Sequence, residues 1–384
     1  MKIAIDARFF GPEGTGIGKY TEKLLENLEE IDHENQYFVI LKKSNFHLFN
    51  PESTNFKKIM VDARWYSLKE QLLLPTALAK IKPDLVHFVA PNIPILWKGN
   101  YIVTIYDLTK IEFGKQASNI ANPVIYTIKQ AIYNFVFEKA IKNSLKIITG
   151  SESTKRKLID RFRINSNKIT TIYAGPDDVY LENYKNNGKR SQDVLSRNGI
   201  KKPFIIYVGN AFPYKNIPIV LKALRIVSKK IYFVYTSSRN VFADRLASEA
   251  EKIGVRNSFI VTGFVPDSDL ARLYKAAECF VFPSLSEGFG LPGIEAMASG
   301  CPVVCSDIEV FREVYGGAAV YFDSKSATDL AKKLNILLDN QNLKKELVEK
   351  GLRQASKYSW KKLALETLNL YKEVISKEKN ENWN

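Results

Sequence analysis

Cysteine and histidine are scarce in this chain. Its three cysteines, Cys279, Cys301 and Cys305, cannot build a disulfide framework for 384 residues. They sit in apolar stretches with no histidine nearby, which reads as buried, reduced thiols in a cytosolic protein. The three histidines, His33, His47 and His87, are too few and too scattered for a zinc site. Long hydrophobic runs are also missing. No stretch approaches the roughly 18–20 uncharged apolar residues of a membrane span. The N-terminus meets Asp6 early and reads as a strand, not a signal peptide, so the expected place is the cytoplasm. With 20 Gly and 15 Pro, collagen-like and low-complexity classes are excluded. An apolar content of 45% excludes a mainly disordered chain.

What is present in surplus is positive charge. Lys and Arg number 56 against 41 Asp and Glu, a net of +15. Such a surplus asks for an acidic partner: nucleic acid, anionic lipid or a phosphorylated substrate. No basic and aromatic strand pattern appears, which disfavours nucleic acid. Residues 1–184 hold 25 basic and 20 acidic residues, net +5, and the rest carries +10. The densest cluster is Lys155, Arg156 and Lys157 with Arg161 and Arg163, on an expected helix. Either it is a solvated face or it touches an anionic membrane or acceptor.

Short β-branched apolar runs alternate with longer helical patterns from end to end. Strands are expected at Lys2–Asp6, Tyr37–Leu41, Lys57–Val61, Leu85–Phe88, Tyr101–Ile105, Lys146–Thr149 and Ile169–Ile172. A second set is Phe204–Val208, Ile231–Tyr235, Phe259–Thr262, Cys279–Pro283, Val303–Ser306 and Val320–Phe322. Near-continuous apolar strands imply sheets buried on both faces, hence parallel strands with helical crossovers. Two doubly wound α/β domains in tandem follow, at 1–185 and 200–358. The polar stretch from Glu182 to Ser191 is the expected connection, with the break near 182–202. A final helix at about 360–376 carries Leu363, Leu365, Leu368, Leu370, Tyr371 and Val374, and a frayed tail is expected after it. In open α/β sheets ligands bind beyond the carboxyl ends of the strands.

Two loops there carry chemistry. The first runs from Gly11 to Tyr20. A P-loop fails here, because Tyr20 follows Lys19 and position 13 is Glu; a dinucleotide fingerprint fails because the spacing is G-x-G-x-G. Glycines that admit a ligand to the backbone and a helix start that favours anions remain, as does a plain tight turn. The second runs from Phe282 to Ala298. A strand ends, a glycine-rich loop follows, and Pro292 suits the first turn of a helix. The amides of Gly288 to Leu291 can cradle a phosphate. Glu287 and Glu295 bracket that pocket. Carboxylates so placed suit a ligand with phosphates in the middle and hydroxyls at both ends, as in a nucleotide sugar; for Glu295, satisfying the helix dipole is the other reading.

Glu287 and Glu295 around Gly-Phe-Gly-Leu-Pro resemble the E-x7-E motif of the family 4 glycosyltransferases, also called group 1. Further likenesses stand in order: Gly14 to Tyr20, Asp84 to Phe88, Ile105 to Leu108, Ser151 to Ser153, Val208-Gly209 through Lys215-Asn216, Thr262 to Val265, Pro302 to Ser306, and Trp360. They cover nearly the whole chain. The resemblance implies GT-B architecture, two Rossmann-like parallel-sheet domains facing across a cleft, with the final helix packed back on the first domain. It implies a retaining transferase moving a hexose from a nucleotide-diphosphate sugar such as GDP-mannose or a UDP-sugar. Glu295 is then expected at the donor ribose, Glu287 at the transferred sugar and Lys215 at the diphosphate. The amides of Gly16, Gly288, Phe289, Gly290 and Leu291 are expected near phosphate or sugar. Val265 is expected at the base and Asn210 beside the phosphates. Asp107 is expected at the reaction centre, with an N-cap role as the other reading; Tyr106 and His87 are candidates on the acceptor side, and a structural strand-end role is the other reading for His87.

Two departures from the family pattern stand out. Asn210 and Tyr214 occupy the places where it commonly has Arg, so one positive charge is missing or comes from elsewhere. Tyr106 stands where it often has His, and tyrosine cannot act as a base near neutral pH. No Asp-x-Asp lies at a strand end, so no metal and no resident cofactor are implied, and the nucleotide sugar is a co-substrate. The segment Trp65 to Pro75 reads as an amphipathic helix and resembles that of mannosyl transferases building bacterial surface polysaccharides. The acceptor implied is a glycan or a lipid-linked one, met at the inner face of the plasma membrane through the stretch Tyr126 to Lys157. A non-catalytic nucleotide-sugar-binding relative and a nucleotide-sugar epimerase are the alternatives.

Overall fold

The computed structural model describes residues 1–118, 120, 122–185, 191–237 and 240–381. The chain divides into two compact units. The first comprises Met1–Ile111, Asn119–Ala174 and Trp360–Asn384. The second comprises Glu112–Ser118 and Gly175–Ser359.

The first unit contains β1 (Lys2–Asp6), β2 (Gln36–Leu41), β3 (Phe56–Met60), β4 (Leu85–Phe88), β5 (Tyr101–Ile105), β6 (Lys146–Thr149) and β7 (Ile169–Thr171). They form a parallel sheet in the order β3-β2-β1-β4-β5-β6-β7. The second contains β8 (Phe204–Val208), β9 (Tyr232–Thr236), β10 (Phe259–Gly263), β11 (Cys279–Phe282), β12 (Val303–Ser306) and β13 (Ala319–Phe322). Its order is β10-β9-β8-β11-β12-β13, again parallel. Every strand lies within one residue of its expected bounds. The central strands are enclosed on both faces: Ile3, Ala4 and Ile5 of β1 and Phe204 to Tyr207 of β8 have no exposed surface. Parallel sheets require this, because the crossover helices cover both sides.

The order reverses direction between β1 and β4 and again between β8 and β11. At such a switch point neighbouring loops diverge and leave a crevice at the carboxyl ends. The two loops singled out above leave β1 and β11.

The division falls at Gly175, earlier than the polar stretch from Glu182 to Ser191. The helix Asp178–Lys185 explains the shift, since its Tyr180 is buried and packs on Tyr274 of the second unit. The apolar side chain outweighs the polar surroundings that suggested a linker. Residues 186–190 of that expected connection lie outside the described residues.

The final helix extends past its expected end, covering Trp360–Glu381. Leu363, Leu368, Leu370, Tyr371, Val374 and Ile375 are buried, but Leu365 is exposed, contrary to its expected place on the apolar face. The expected frayed tail is thus helical to Glu381, and 382–384 lie outside the described residues. The helix read at Trp65 to Pro75 begins at Leu68, capped by Ser67 Oγ accepting from Glu70 N, and continues through Pro75 to Ile81. Cys279, Cys301 and Cys305 are free and buried. No helix among the described residues is long and apolar enough to cross a membrane.

Candidate active site

The crevice between β8 and β11 is built by two loops. After β8 the chain passes Gly209 and Asn210 into a tight turn, Pro213–Lys215. After β11 it passes Pro283 to Gly290. Leu285 N donates to the Tyr214 carbonyl at 2.8 Å, which ties the loops together. Beside that link Lys215 Nζ donates to Glu287 Oε1 at 2.5 Å. The two side chains keep only 15% and 13% of their surface, so solvent screens the pair little. Tyr214 is flanked by Phe212 and Phe113. Phe113 belongs to the segment Glu112–Ser118, whose Glu112 accepts from Ser286 Oγ at 3.0 Å.

The helix Leu291–Ala298 starts at this loop. Gly290 is its N-cap in the left-handed region at φ 91°, and Pro292 lies in its first turn. No side chain caps that end; Pro292 has no N–H and Gly293 N donates to the Gly290 carbonyl at 3.0 Å, so of the first three positions Leu291 is the one whose N–H can meet a ligand. Gly288, Phe289 and Gly290 are buried and Leu291 is half-buried. Glu295 lies on the same helix, half-buried, close enough to Tyr180 and Tyr274 to add to the burial that pushes both hydroxyl pKa values up. Asn210 Oδ1 and Ser284 Oγ, at the ends of β8 and β11, are buried without a protein partner. Val265 is buried just beyond β10, next to exposed Phe264. The second unit therefore brings Asn210, Lys215 and Glu287 to one crevice, with the loop Gly288 to Leu291.

Sequence reasoning missed two residues here. Arg245, on the helix Asn240–Ile253, donates through Nη2 to the Ala211 carbonyl and so brings a guanidinium to the loop after β8. Tyr315 donates to the Gly290 carbonyl at 2.5 Å. Both lie far in sequence from the two glycine loops singled out, so nothing local ties them to this crevice.

The other expected residues lie in the first unit. Gly16 is exposed in the first turn of the helix Thr15–Ile31, and a Cβ there would meet nothing within 4 Å. Gly14 and Gly18 are different: a Cβ would strike the Phe9 and Gly11 carbonyl oxygens at 1.9 and 2.1 Å. They are packing glycines, and Gly16 alone of this trio leaves open space for a ligand. Asp107 Oδ1 accepts from Thr109 N at 2.7 Å, a local turn bond just before the short helix Thr109–Glu112. Tyr106 lies edge-on to Tyr20, its hydroxyl enclosed without a partner, and burial holds its pKa well above the usual range. His87 is fully buried, with Tyr371 on Nδ1 at 2.6 Å and Thr104 on Nε2 at 2.8 Å. Burial pushes its pKa down to about 3. The sequence left it between an acceptor-side candidate and a structural strand-end residue; enclosed and bonded at both ring nitrogens, it ties the final helix to β5.

A buried polar network also lies past β1 and was not foreseen. Arg8 bonds Asp6 through Nε and Nη2, each at 2.7 Å, and Glu70 through Nη2 at 2.6 Å. Glu70 also accepts from Asn92 Nδ2 and from Tyr66 N. Burial raises the Glu70 pKa and Arg8 opposes it. Burial works to lower the Arg8 pKa, but the two carboxylates together hold it up. Among the described residues no group of three or more His, Cys, Asp or Glu is placed to hold a metal ion.

Comparison with known proteins adds identity to this geometry. Residues 192–354 match the family described as glycosyl transferases group 1. The chain is 30% identical over 244 residues to the O-antigen chain mannosyltransferase B of Escherichia coli, covering 61% of this chain and 63% of that protein. It is 26% identical over 347 residues to the O-antigen chain mannosyltransferase RfbU of Salmonella typhimurium, covering 86% and 90%. Among solved structures, Anabaena Alr3699/HepE in complex with UDP and glucose superposes with a TM-score of 0.76 at 15% identity, covering 97% of this chain and all of that one. Residues 192–354 are thus similar to the group 1 glycosyltransferases, and the chain has the GT-B fold.

Proposed function

We propose that this protein is a retaining glycosyltransferase that moves a hexose from a nucleotide-diphosphate sugar, GDP-mannose or a UDP-sugar, to a glycan or lipid-linked acceptor in cell-surface polysaccharide synthesis. One observation carries the reading: Lys215 and Glu287 meet at the switch point of the second sheet, beside an uncapped helix start. An ammonium and a row of amides suit a diphosphate, and a neighbouring carboxylate suits sugar hydroxyls. The mannosyltransferases among the relatives and the UDP complex among the structures support it.

In this reading the leaving diphosphate itself accepts the acceptor's proton as the acceptor attacks from the same face. Lys215 and the amides of Gly288 to Leu291 stabilise the charge that grows on the departing phosphate. Arg245 supplies the second positive charge that Asn210 and Tyr214 do not. Glu295 holds ribose hydroxyls, Val265 meets the base, and Gly16 and Asp107 keep the roles expected of them. Full turnover in excess chelator is expected, since the reading gives catalysis to these groups and to no metal. A melting panel with UDP, GDP, ADP and their sugars tests the donor, because a ligand of the folded state raises Tm by mass action. A panel without any shift overturns the proposal. Donor consumed to an epimer without acceptor would favour the epimerase alternative.

The acceptor is proposed to be met at an anionic membrane surface on the cytoplasmic side. The helix Pro123–Asn143 supports this, with Val124, Ile125, Ile128, Ile132 and Phe135 all exposed. They fall within one stripe of the helix, which runs on into Lys139 and Lys142. The basic helix Glu152–Phe162 adjoins it through Phe137 and Phe162. Co-sedimentation with anionic vesicles tests the contact, and no difference from neutral vesicles would remove it.

A further inference from the structure

Tyr315 ends the helix Glu309–Tyr315 and has no exposed surface. Its ring stacks on Phe311 with centroids 5.0 Å apart. Its hydroxyl donates to the Gly290 carbonyl at 2.5 Å, and that carbonyl also accepts from Gly293 N at 3.0 Å. The tyrosine also occupies the space of two missing side chains. A Cβ at Gly290 would lie 2.3 Å from the hydroxyl and 2.8 Å from Phe311. A Cβ at Gly293 would lie 2.3 Å from the same hydroxyl. Tyr315 thus leaves no room for a side chain at either position, and at Gly290 the backbone φ of 91° also favours glycine. The end of its helix is held in turn: Gln354 and Tyr358 both donate to the Val314 carbonyl, at 2.7 and 3.0 Å. Tyr358 also meets Phe289 edge-on.

A peptide unit is planar, and its C=O and N–H point in opposite directions. Holding the Gly290 carbonyl thus sets the direction of the Leu291 N–H. That N–H opens the helix Leu291–Ala298 and faces away from Tyr315. We propose that Tyr315 is the positioning residue of the anion cradle: it fixes the 290–291 peptide plane and aims the Leu291 N–H at the diphosphate of the donor. The inference rests on the nucleotide-sugar reading above. It explains why the Gly-Phe-Gly-Leu-Pro-Gly loop depends on a residue more than twenty positions away in sequence.

The test is titration calorimetry of UDP and GDP with the full chain and three variants. Tyr315→Phe removes only the hydroxyl. Gly293→Ala leaves the tyrosine intact but crowds its hydroxyl off Gly290. Tyr101→Phe is the control, since it removes another buried hydroxyl, bonded to the Lys139 and Ala140 carbonyls of the first unit. Tyr315→Phe and Gly293→Ala are each expected to weaken binding about tenfold, as misplaced donors do. Tyr101→Phe is expected to lower Tm comparably and leave affinity unchanged. Wild-type binding with affinity unchanged in either cradle variant overturns the role of Tyr315 alone. Should Tyr315→Phe fail to fold, Gly293→Ala decides. Wild-type protein that binds neither nucleotide overturns the donor reading and this inference with it.

Discussion

Lys215 Nζ and Glu287 Oε1 are direct partners, 2.5 Å apart, although they leave different strands of the sheet. The cation expected at a diphosphate and the acid expected at a sugar thus neutralise each other. An arriving phosphate adds negative charge to a pair of net zero. The ammonium has three donors and can serve both, while the carboxylate is held in place by the same bond.

Lys215→Ala is therefore expected to cost far more in turnover than in stability. Removing one member of this largely enclosed pair costs about 1–3 kcal/mol of folding free energy, which leaves the chain folded. Loss of a group that stabilises transition-state charge costs about 10²–10³ in kcat. Steady-state kinetics beside a thermal melt separates the two. Parallel loss of activity and of folded protein would mean that the pair is structural.

Arg245→Ala is expected to weaken binding of UDP or GDP about tenfold, the worth of one charge-assisted contact. Arg245→Lys should recover part of it. Both the effect and its recovery should shrink at high salt, since the group is exposed. Calorimetry at low and high salt reads this directly, and an affinity indifferent to Arg245 at low salt counts against it.

His87 couples stability to pH. Its folded pKa is pushed down to about 3, below the ordinary imidazole value. The unfolded chain takes up a proton there and the folded chain does not. This contribution is thus fully present above the unfolded pKa and is lost as pH falls toward 3, at up to about 1.4 kcal/mol per pH unit. Melts from pH 7 to 4 should show a steeper decline for wild type than for His87→Asn. Equal slopes would show that other groups carry the acid sensitivity.

The network at Arg8 predicts an order of damage. Glu70→Ala leaves Arg8 paired with Asp6, so the loss is about 2–3 kcal/mol for the hydrogen bonds removed. Arg8→Ala leaves Asp6 and Glu70 buried together without their cation, which costs about 3–5 kcal/mol. Denaturant titration ranks the two, and a Glu70 variant less stable than the Arg8 variant contradicts the arrangement.

Much of the fold was legible because strand and turn chemistry is local. Runs such as Phe204 to Val208 are apolar without alternation, which only a two-faced buried strand tolerates. Pro292 and Gly290 marked a helix start by their own backbone preferences. The misreadings share a cause. The domain break and the place of Leu365 were judged from sequence neighbours, while the burial of Tyr180 and the exposure of Leu365 depend on elements far away in the chain. Arg245 and Tyr315 escaped notice for the same reason.

Alternating strands and helices, the glycine loops and the Glu287 to Glu295 spacing are properties of the chain itself, and local sterics and periodicity suffice to read them. Which carbonyl meets the Tyr315 hydroxyl, which acid holds Lys215, and whether His87 faces solvent or a helix 284 residues away were decided only by folding. Hydrogen bonds depend on angle and on tenths of an ångström, and those are set when distant segments pack together.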